Sequence, residues 1–258
     1  MEGKFSHDVV KENIARAKKN IEIAAKKSGR NAEDVVLLAA TKTVDPDTIN
    51  FAIHNGISCI GENRVQELIE KYDAIDKENV DIHFIGRLQT NKVKYIADKV
   101  SLIHSVDSVK LAKEIDKQCK KIDKVMDVLV EVNIADEESK GGIKCDELEG
   151  FLKEISVFEN IRVVGLMCIP PIISDELPRE NSEIACENEQ KDTSTKKSYK
   201  NNEFFKKIMK LFLDISQKKL DNIYMNILSM GMSDDYEQAV EDGSTVVRIG
   251  RGLFGSRN

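Results

Sequence analysis

The chain has 258 residues, 41% hydrophobic and 33% charged, with a formal net charge of −6. That length buries a substantial core as one large α/β domain or two small ones, and the acidic balance argues against a general nucleic-acid or anionic-membrane binder. No apolar stretch approaches the roughly twenty residues that span a bilayer, and Met1–Ser6 lacks the apolar core of a signal peptide.

Five scattered cysteines, Cys59, Cys119, Cys145, Cys168 and Cys186, form no C-x-x-C pair. They predict neither a disulfide framework nor a metal site, but reduced thiols in a cytoplasmic protein.

In chain order, His7 to Ser28 repeats Val9, Ile14, Ala17, Ile21 and Ala24 on one face, which predicts an extra amphipathic N-terminal helix. From Val35 onward, short apolar runs alternate with amphipathic stretches. The runs Val35–Thr41, Ser58–Gly61, Ile82–Gly86, Leu102–Val106, Asp127–Asn133, Arg162–Met167, Asn226–Met230 and Thr245–Gly250 read as strands. They lack polar alternation, as expected for parallel strands covered on both faces. Helices are predicted at Pro46–Asn55, Arg64–Ile75, Ser108–Ile122, Glu147–Ile155, Phe204–Lys218 and Asp234–Asp242. Counting gives eight strands, the first seven each followed by a helix and the last by a glycine-rich tail. Eight such units in this length predict a single (β/α)8 barrel over residues 1–258, with an open doubly wound sheet as the alternative. Residues 174–202 are dominated by Glu, Asn, Lys, Ser and Thr. They predict a flexible insertion after the sixth strand.

In such barrels the chemistry lies at the carboxyl ends of the strands, and phosphate often sits after the seventh and eighth. Lys42 ends the first apolar run, where lost hydration favours the neutral, nucleophilic amine. The seventh strand runs into Ser229-Met230-Gly231-Met232-Ser233 and the eighth into Gly250-Arg251-Gly252. Glycines there let backbone N–H groups approach an anion, and Ser229 supplies a hydroxyl. Asp234 and Asp235 would repel a phosphate unless their carboxylates turn away. Arg248 interrupts an apolar strand, where its guanidinium needs either a structural acceptor such as Glu131 or a ligand. Closure of a barrel puts the eighth strand beside the first. An amine, a phosphate cradle and a cation on one arc of the rim fit pyridoxal 5′-phosphate, with Arg248 at the pyridine nitrogen. Asn63 and Met167, at strand ends, are expected to line the pocket.

Several motifs resemble those of the pyridoxal-phosphate homeostasis proteins, in the same order across nearly the whole chain. They are Ala39-Ala40-Thr41-Lys42-Thr43, Gly61-Glu62-Asn63-Arg64-Val65-Gln66-Glu67 and His83-Phe84-Ile85-Gly86-Arg87-Leu88-Gln89-Thr90-Asn91-Lys92. Further on come Gly165-Leu166-Met167-Cys168-Ile169-Pro170-Pro171, Leu228-Ser229-Met230-Gly231-Met232-Ser233 and Val247-Arg248-Ile249-Gly250-Arg251-Gly252-Leu253-Phe254-Gly255. The resemblance implies a fold type III pyridoxal-phosphate barrel, related to the N-terminal domain of alanine racemase, with Lys42 as the aldimine lysine. It also implies buffering and delivery of the cofactor to apoenzymes, without established turnover. Arg64 departs from the family, standing where an aromatic is common.

The rival reading is a weak amino-acid racemase. Racemisation needs proton donors on both faces of the substrate carbon. None of Tyr72, Tyr95, Tyr199, Tyr224 or Tyr236 falls at a strand's carboxyl end, and the chain stops after the barrel. The sequence therefore predicts no catalytic residue, no metal and a monomer.

Overall fold

The computed structural model describes residues 6–137, 141–171 and 193–255. Nine strands occur among them: β1 Val36–Ala40, β2 Cys59–Glu62, β3 Asp81–Phe84, β4 Leu102–Val106, β5 Met126–Asn133, β6 Ile143–Lys144, β7 Ile161–Met167, β8 Ile223–Ser229 and β9 Val246–Ile249. Every pairing is parallel. The sheet runs β4-β3-β2-β1-β9-β8-β7-β5, and a β4–β5 pairing closes it into an eight-stranded barrel. Two-residue β6 hangs on the end of β5 outside the ring.

Burial on both strand faces explains why the apolar runs pair this way. In β1, Leu37 and Ala39 join the large core shared with the surrounding helices. Leu38, fully buried between them, instead packs with Cys59 and Val246 in the barrel interior. A second interior cluster holds Leu102, Leu129, Val164 and Met167. Fully burying a Leu side chain contributes about 1.5–3 kcal/mol, so either face alone would reward a strand.

The helices are α1 His7–Lys27, α2 Pro46–His54, α3 Val65–Tyr72, α4 Val109–Lys120, α5 Leu148–Ile155, α6 Thr193–Ser216, α7 Tyr236–Glu241 and α8 Arg251–Phe254. The Asp45 carboxylate caps α2 by accepting from Thr48 N–H at 2.9 Å, and Pro46 presets the first turn. On α1, Val10, Ile14, Ala17, Ile21 and Ala24 are buried. That face packs mainly on α7 and α8, and Asn13 Nδ2 donates to the Leu253 carbonyl at 2.9 Å.

Several details differ from the sequence expectation. Val9, expected on the packing face of α1, is 50% exposed, and Val10 is buried in its place. The unit after β3 carries a short 3-10 segment, Thr90–Tyr95, instead of an α-helix. Val93 and, just beyond it, Ile96, Ala97 and Val100 keep helical spacing and are all buried, so the segment covers the barrel as a helix would. The tail after β9 forms the one-turn helix α8. In the expected insertion at 174–202, residues 174–192 lie outside the described residues. Residues 193–202 are helical and start α6 upstream of the predicted Phe204.

Candidate functional site

At the carboxyl ends of the strands a cavity of about 660 Å³ is lined by Lys42, Asn63, Met167, Arg248, Gly250 and Arg251, all six expected there from sequence. Such a volume suits a small-molecule ligand, since cofactor pockets run about 300–1,000 Å³. Ser229 and Gly231 are not part of its lining.

Lys42 is half-buried just beyond β1, and the backbone on either side of it is held from α3. Lys71 Nζ donates to the Thr41 carbonyl at 3.0 Å and to Glu62 Oε1 at 2.9 Å. Glu62 Oε1 also accepts from the Thr41 hydroxyl at 2.8 Å. On the other side, Glu67 Oε2 accepts from Thr43 N–H at 2.8 Å and from Lys71 at 3.3 Å. Thr43 has φ 63°, a left-handed conformation costly for a β-branched residue, so these bonds hold a strained turn. Burial raises the Glu62 carboxyl above its usual range, while Lys71 and Thr41 oppose the rise. The Gly-Glu-Asn-x-x-Gln-Glu motif thus supplies both carboxylates of a clamp around Lys42.

Arg248 projects inward from β9, whose neighbour β1 pairs Leu38 with it. Only 5% exposed, it makes no ion pair with Glu131. Its Nη1 donates to Ser229 Oγ at 2.6 Å and its Nη2 to the Cys168 carbonyl at 3.0 Å. Behind Ser229 a polar chain continues through the interior. His104 Nδ1 lies 3.1 Å from Ser229 Oγ, and His104 Nε2 lies 3.0 Å from His83 Nδ1. His83 in turn meets Cys59 Sγ, 3.4 Å from Nδ1 and 3.7 Å from Nε2. Because guanidinium only donates, Ser229 Oγ accepts from Arg248, and the direction of its bond with His104 Nδ1 follows the imidazole tautomer. Burial pushes His83 down to about 4 and His104 well below the usual imidazole range, so both are neutral at pH 7. Burial likewise pushes the Cys168 thiol up to about 12, which makes it a core group and not a nucleophile.

These contacts correct the expectation for Ser229. Its fully buried hydroxyl is committed to Arg248 and His104, so it positions the arginine and is not the hydroxyl donor to a phosphate. Gly231 is corrected too. At φ +91° it turns the chain, its carbonyl accepts from Arg248 N–H at 3.0 Å, and an added Cβ would lie 2.5 Å from Ala239 Cβ. What this turn delivers to the cavity is Met232, Ser233 and Asp234. Ser233 Oγ accepts from Gly252 N–H at 3.1 Å, tying the two glycine loops together. Each of the two aspartates has a local partner, although Asp234 lines the cavity. Asp234 pairs with Arg251 at 2.6 Å, and Asp235 Oδ1 accepts from Met232 N–H at 2.6 Å.

Sequence reasoning missed Arg87, Asp107 and Ser233 as lining residues, and it assigned Glu131 only as a partner for Arg248. Burial and the nearby Asp107 raise the Glu131 carboxyl, opposed by Arg248 and Arg87. Asn63 Oδ1 is a buried acceptor with no hydrogen-bond partner. An amine, a buried donor-only cation and an anion-compatible glycine loop on adjacent strands fit pyridoxal 5′-phosphate chemically.

The fold and site define a closed parallel barrel with a ligand cavity at the carboxyl ends of its strands. The model described as alanine racemase, N-terminal domain, matches residues 13–258. A pyridoxal phosphate homeostasis protein of Aquifex aeolicus is 40% identical over 246 residues, covering 95% of this chain and 97% of that protein. The Escherichia coli K12 protein of the same name is 31% identical over 95% of this chain and 96% of its own length. Among solved structures, an unknown protein from Bifidobacterium adolescentis superposes with TM-score 0.83 at 30% identity, covering 96% of this chain and 95% of that one. PipY of Synechococcus elongatus, solved with PLP bound, gives TM-score 0.74 at 25% identity over 95% and 100% of the two chains. The chain therefore belongs to the pyridoxal phosphate homeostasis proteins, within the alanine racemase N-terminal domain family.

Proposed function

We propose that this protein binds pyridoxal 5′-phosphate in the rim cavity and acts in homeostasis of the cofactor, holding and supplying it without efficient turnover. The observation that carries the reading is that Lys42 and Arg248, on neighbouring strands β1 and β9, open onto one cavity. When bound, the cofactor supplies an electrophilic carbonyl and a conjugated ring. Lys42 is the amine placed for covalent attachment. Arg248, held by Ser229 and Cys168, would donate to the ring nitrogen and leave no proton on it, because arginine keeps its own. Ser233 and the backbone at Gly250 and Arg251 would hold the phosphate, with Arg251 already neutralised by Asp234. Asn63 and Met167 complete the walls.

The names of the relatives support the homeostasis role, and PipY was solved with this cofactor. Among the described residues no tyrosine lines the cavity, so the two-face proton exchange of a racemase has no tyrosine partner for Lys42 there. No described helix is long and apolar enough to cross a membrane. The reading extends to a cytoplasmic monomer that passes its cofactor to apoenzymes.

The test is the visible spectrum of wild type and Lys42→Ala during titration with pyridoxal phosphate, followed by borohydride reduction and peptide mass mapping. A yellow band in wild type alone, with the pyridoxyl adduct on the Lys42 peptide, is expected. No band, or an adduct elsewhere, overturns the site. A chiral assay of alanine and serine interconversion tests turnover, and a rate typical of a racemase overturns the non-catalytic reading.

A further inference from the structure

Two motifs are only partly used by the cofactor cavity: Gly61 to Glu67 and His83 to Lys92. Their remaining residues converge on a second concavity of about 730 Å³ at the same end of the barrel. It shares Asn63, Arg87 and Asp107 with the cofactor cavity, so these three side chains form the wall between the two.

The lining carries opposed charges. Arg87 stands on the shared wall, and Arg64 and Lys92 lie beyond it. Arg64 is 72% exposed and only loosely paired with Glu67 at 3.5 Å. Lys92 Nζ is 5.7 Å from the Tyr95 ring centroid, a weak cation–π contact that leaves its donors available. On the wall, Asp107 accepts from Ser108 Oγ at 3.3 Å, and Asn63 Oδ1 is the buried acceptor without a partner. The side-chain amides of Gln66, Gln89 and Asn91 add neutral donors and acceptors. Three cations with one carboxylate match a ligand that carries both signs of charge, with the negative one in excess.

We propose that this second cavity binds a free acidic α-amino acid. Its ammonium faces Asp107 at the shared wall, and its two carboxylates face Arg87, Arg64 and Lys92. Arginine suits carboxylate through its planar fork of donors, and Lys92 adds a point charge. A plain dicarboxylate would set Asp107 against a negative ligand with no cation to meet it. An acidic segment of a partner protein would offer carboxylates without the α-ammonium. The site stands on its own geometry and does not require the cofactor reading to hold.

The experiment is calorimetric titration with L-glutamate, glutarate and an acidic peptide. It uses wild type as purified, Lys42→Ala, the double variant R64Q/K92Q, and K94Q. Neither Arg64 nor Lys92 lines the cofactor cavity, and Lys94 lines neither cavity, so K94Q controls for general surface charge. Titration to roughly 10 mM reaches any site of millimolar affinity or tighter. Saturable glutamate binding is expected in wild type, Lys42→Ala and K94Q, weakened about tenfold or more in R64Q/K92Q through loss of charge-assisted donors. Glutarate is expected to bind more weakly than glutamate. No saturable glutamate binding, equal binding to R64Q/K92Q, or glutarate binding as tightly as glutamate overturns the proposal. Binding of the acidic peptide without glutamate overturns it in favour of a protein partner. Because Lys42→Ala abolishes only the covalent cofactor site, failure here and failure of the cofactor reading are separately visible.

Discussion

Replacing Lys71 with methionine tests the clamp around Lys42 most directly. Methionine keeps an unbranched stem and removes the ammonium that bridges Thr41, Glu62 and Glu67. Glu62 is fully buried, its Oε2 already lacks a partner, and Oε1 would keep only the Thr41 hydroxyl. Breaking a buried pair from one side costs about 3–5 kcal/mol, because the surviving charge is left uncompensated. The Lys71 side chain is 12% exposed, so some water reaches the carboxylate and the low end applies, about 3 kcal/mol. At roughly 2–4 °C per kcal/mol for a chain of this size, Tm falls by about 6–12 °C. The pH dependence has a definite sign. Burial raises the Glu62 carboxyl in the folded state, and Lys71 opposes that rise. Without Lys71 it rises further, and proton uptake then removes the buried charge. The deficit of Lys71→Met is therefore largest near neutral pH and shrinks on acidification through the raised value. Adding Glu62→Gln, which still accepts from Thr41, should restore most of the stability. Urea unfolding of wild type, both single variants and the double variant, repeated at several pH values, reads all of this. A cost below about 1 kcal/mol, a deficit independent of pH, or a double variant no better than Lys71→Met refutes the buried-pair argument.

The interior imidazoles make a second prediction. His83 is pushed from 6.5 to about 4 by burial, so the unfolded chain binds its proton first. Stability is lost as pH falls from about 6.5 towards 4, by about 3 kcal/mol from His83 alone. His83→Gln should flatten that acid limb of urea midpoints, and an unchanged limb refutes the assignment. Ser229→Ala strands Arg248 Nη1 and His104 Nδ1 together, costing about 1–3 kcal/mol. It should also weaken cofactor binding in a spectral titration; wild-type stability would show that Ser229 is not the prop inferred. Gly86→Ala places a Cβ 2.1 Å from the Asn63 carbonyl oxygen and must push the ends of β2 and β3 apart. A loss of about 1–3 kcal/mol in thermal unfolding is expected, and wild-type stability would mean the loops yield freely.

How much of this was legible depends on what each residue's signal was. The strands were readable because burial on both faces leaves continuous Val, Ile and Leu runs, as at Leu37, Leu38 and Ala39. Lys42 and Arg248 were readable because each breaks such a run with a charge. Ser229 was misassigned from its place at a strand end, although strand alternation held the answer. Leu228 joins the helix-facing core, so Ser229 must face the interior, as Arg248 does between the core residues Val247 and Ile249. The clamp was out of reach by comparison. Glu62, Glu67 and Lys71 look like ordinary helix-flanking charges until β1–β2 pairing sets α3 over the Lys42 turn. Arg87, Asp107 and Glu131 follow β3, follow β4 and lie within β5, and no local pattern brings them together. Closure of the barrel through β4 and β5 does so. The same closure gives the two long motifs a common purpose. Gly86 lets the β3 loop lie directly on the Asn63 backbone, and the resulting Asn63–Arg87 wall divides a lysine-bearing cavity from a charged one. A wall that bounds two cavities at once constrains backbone and side chains together, so a change at Asn63, Gly86 or Arg87 acts on both.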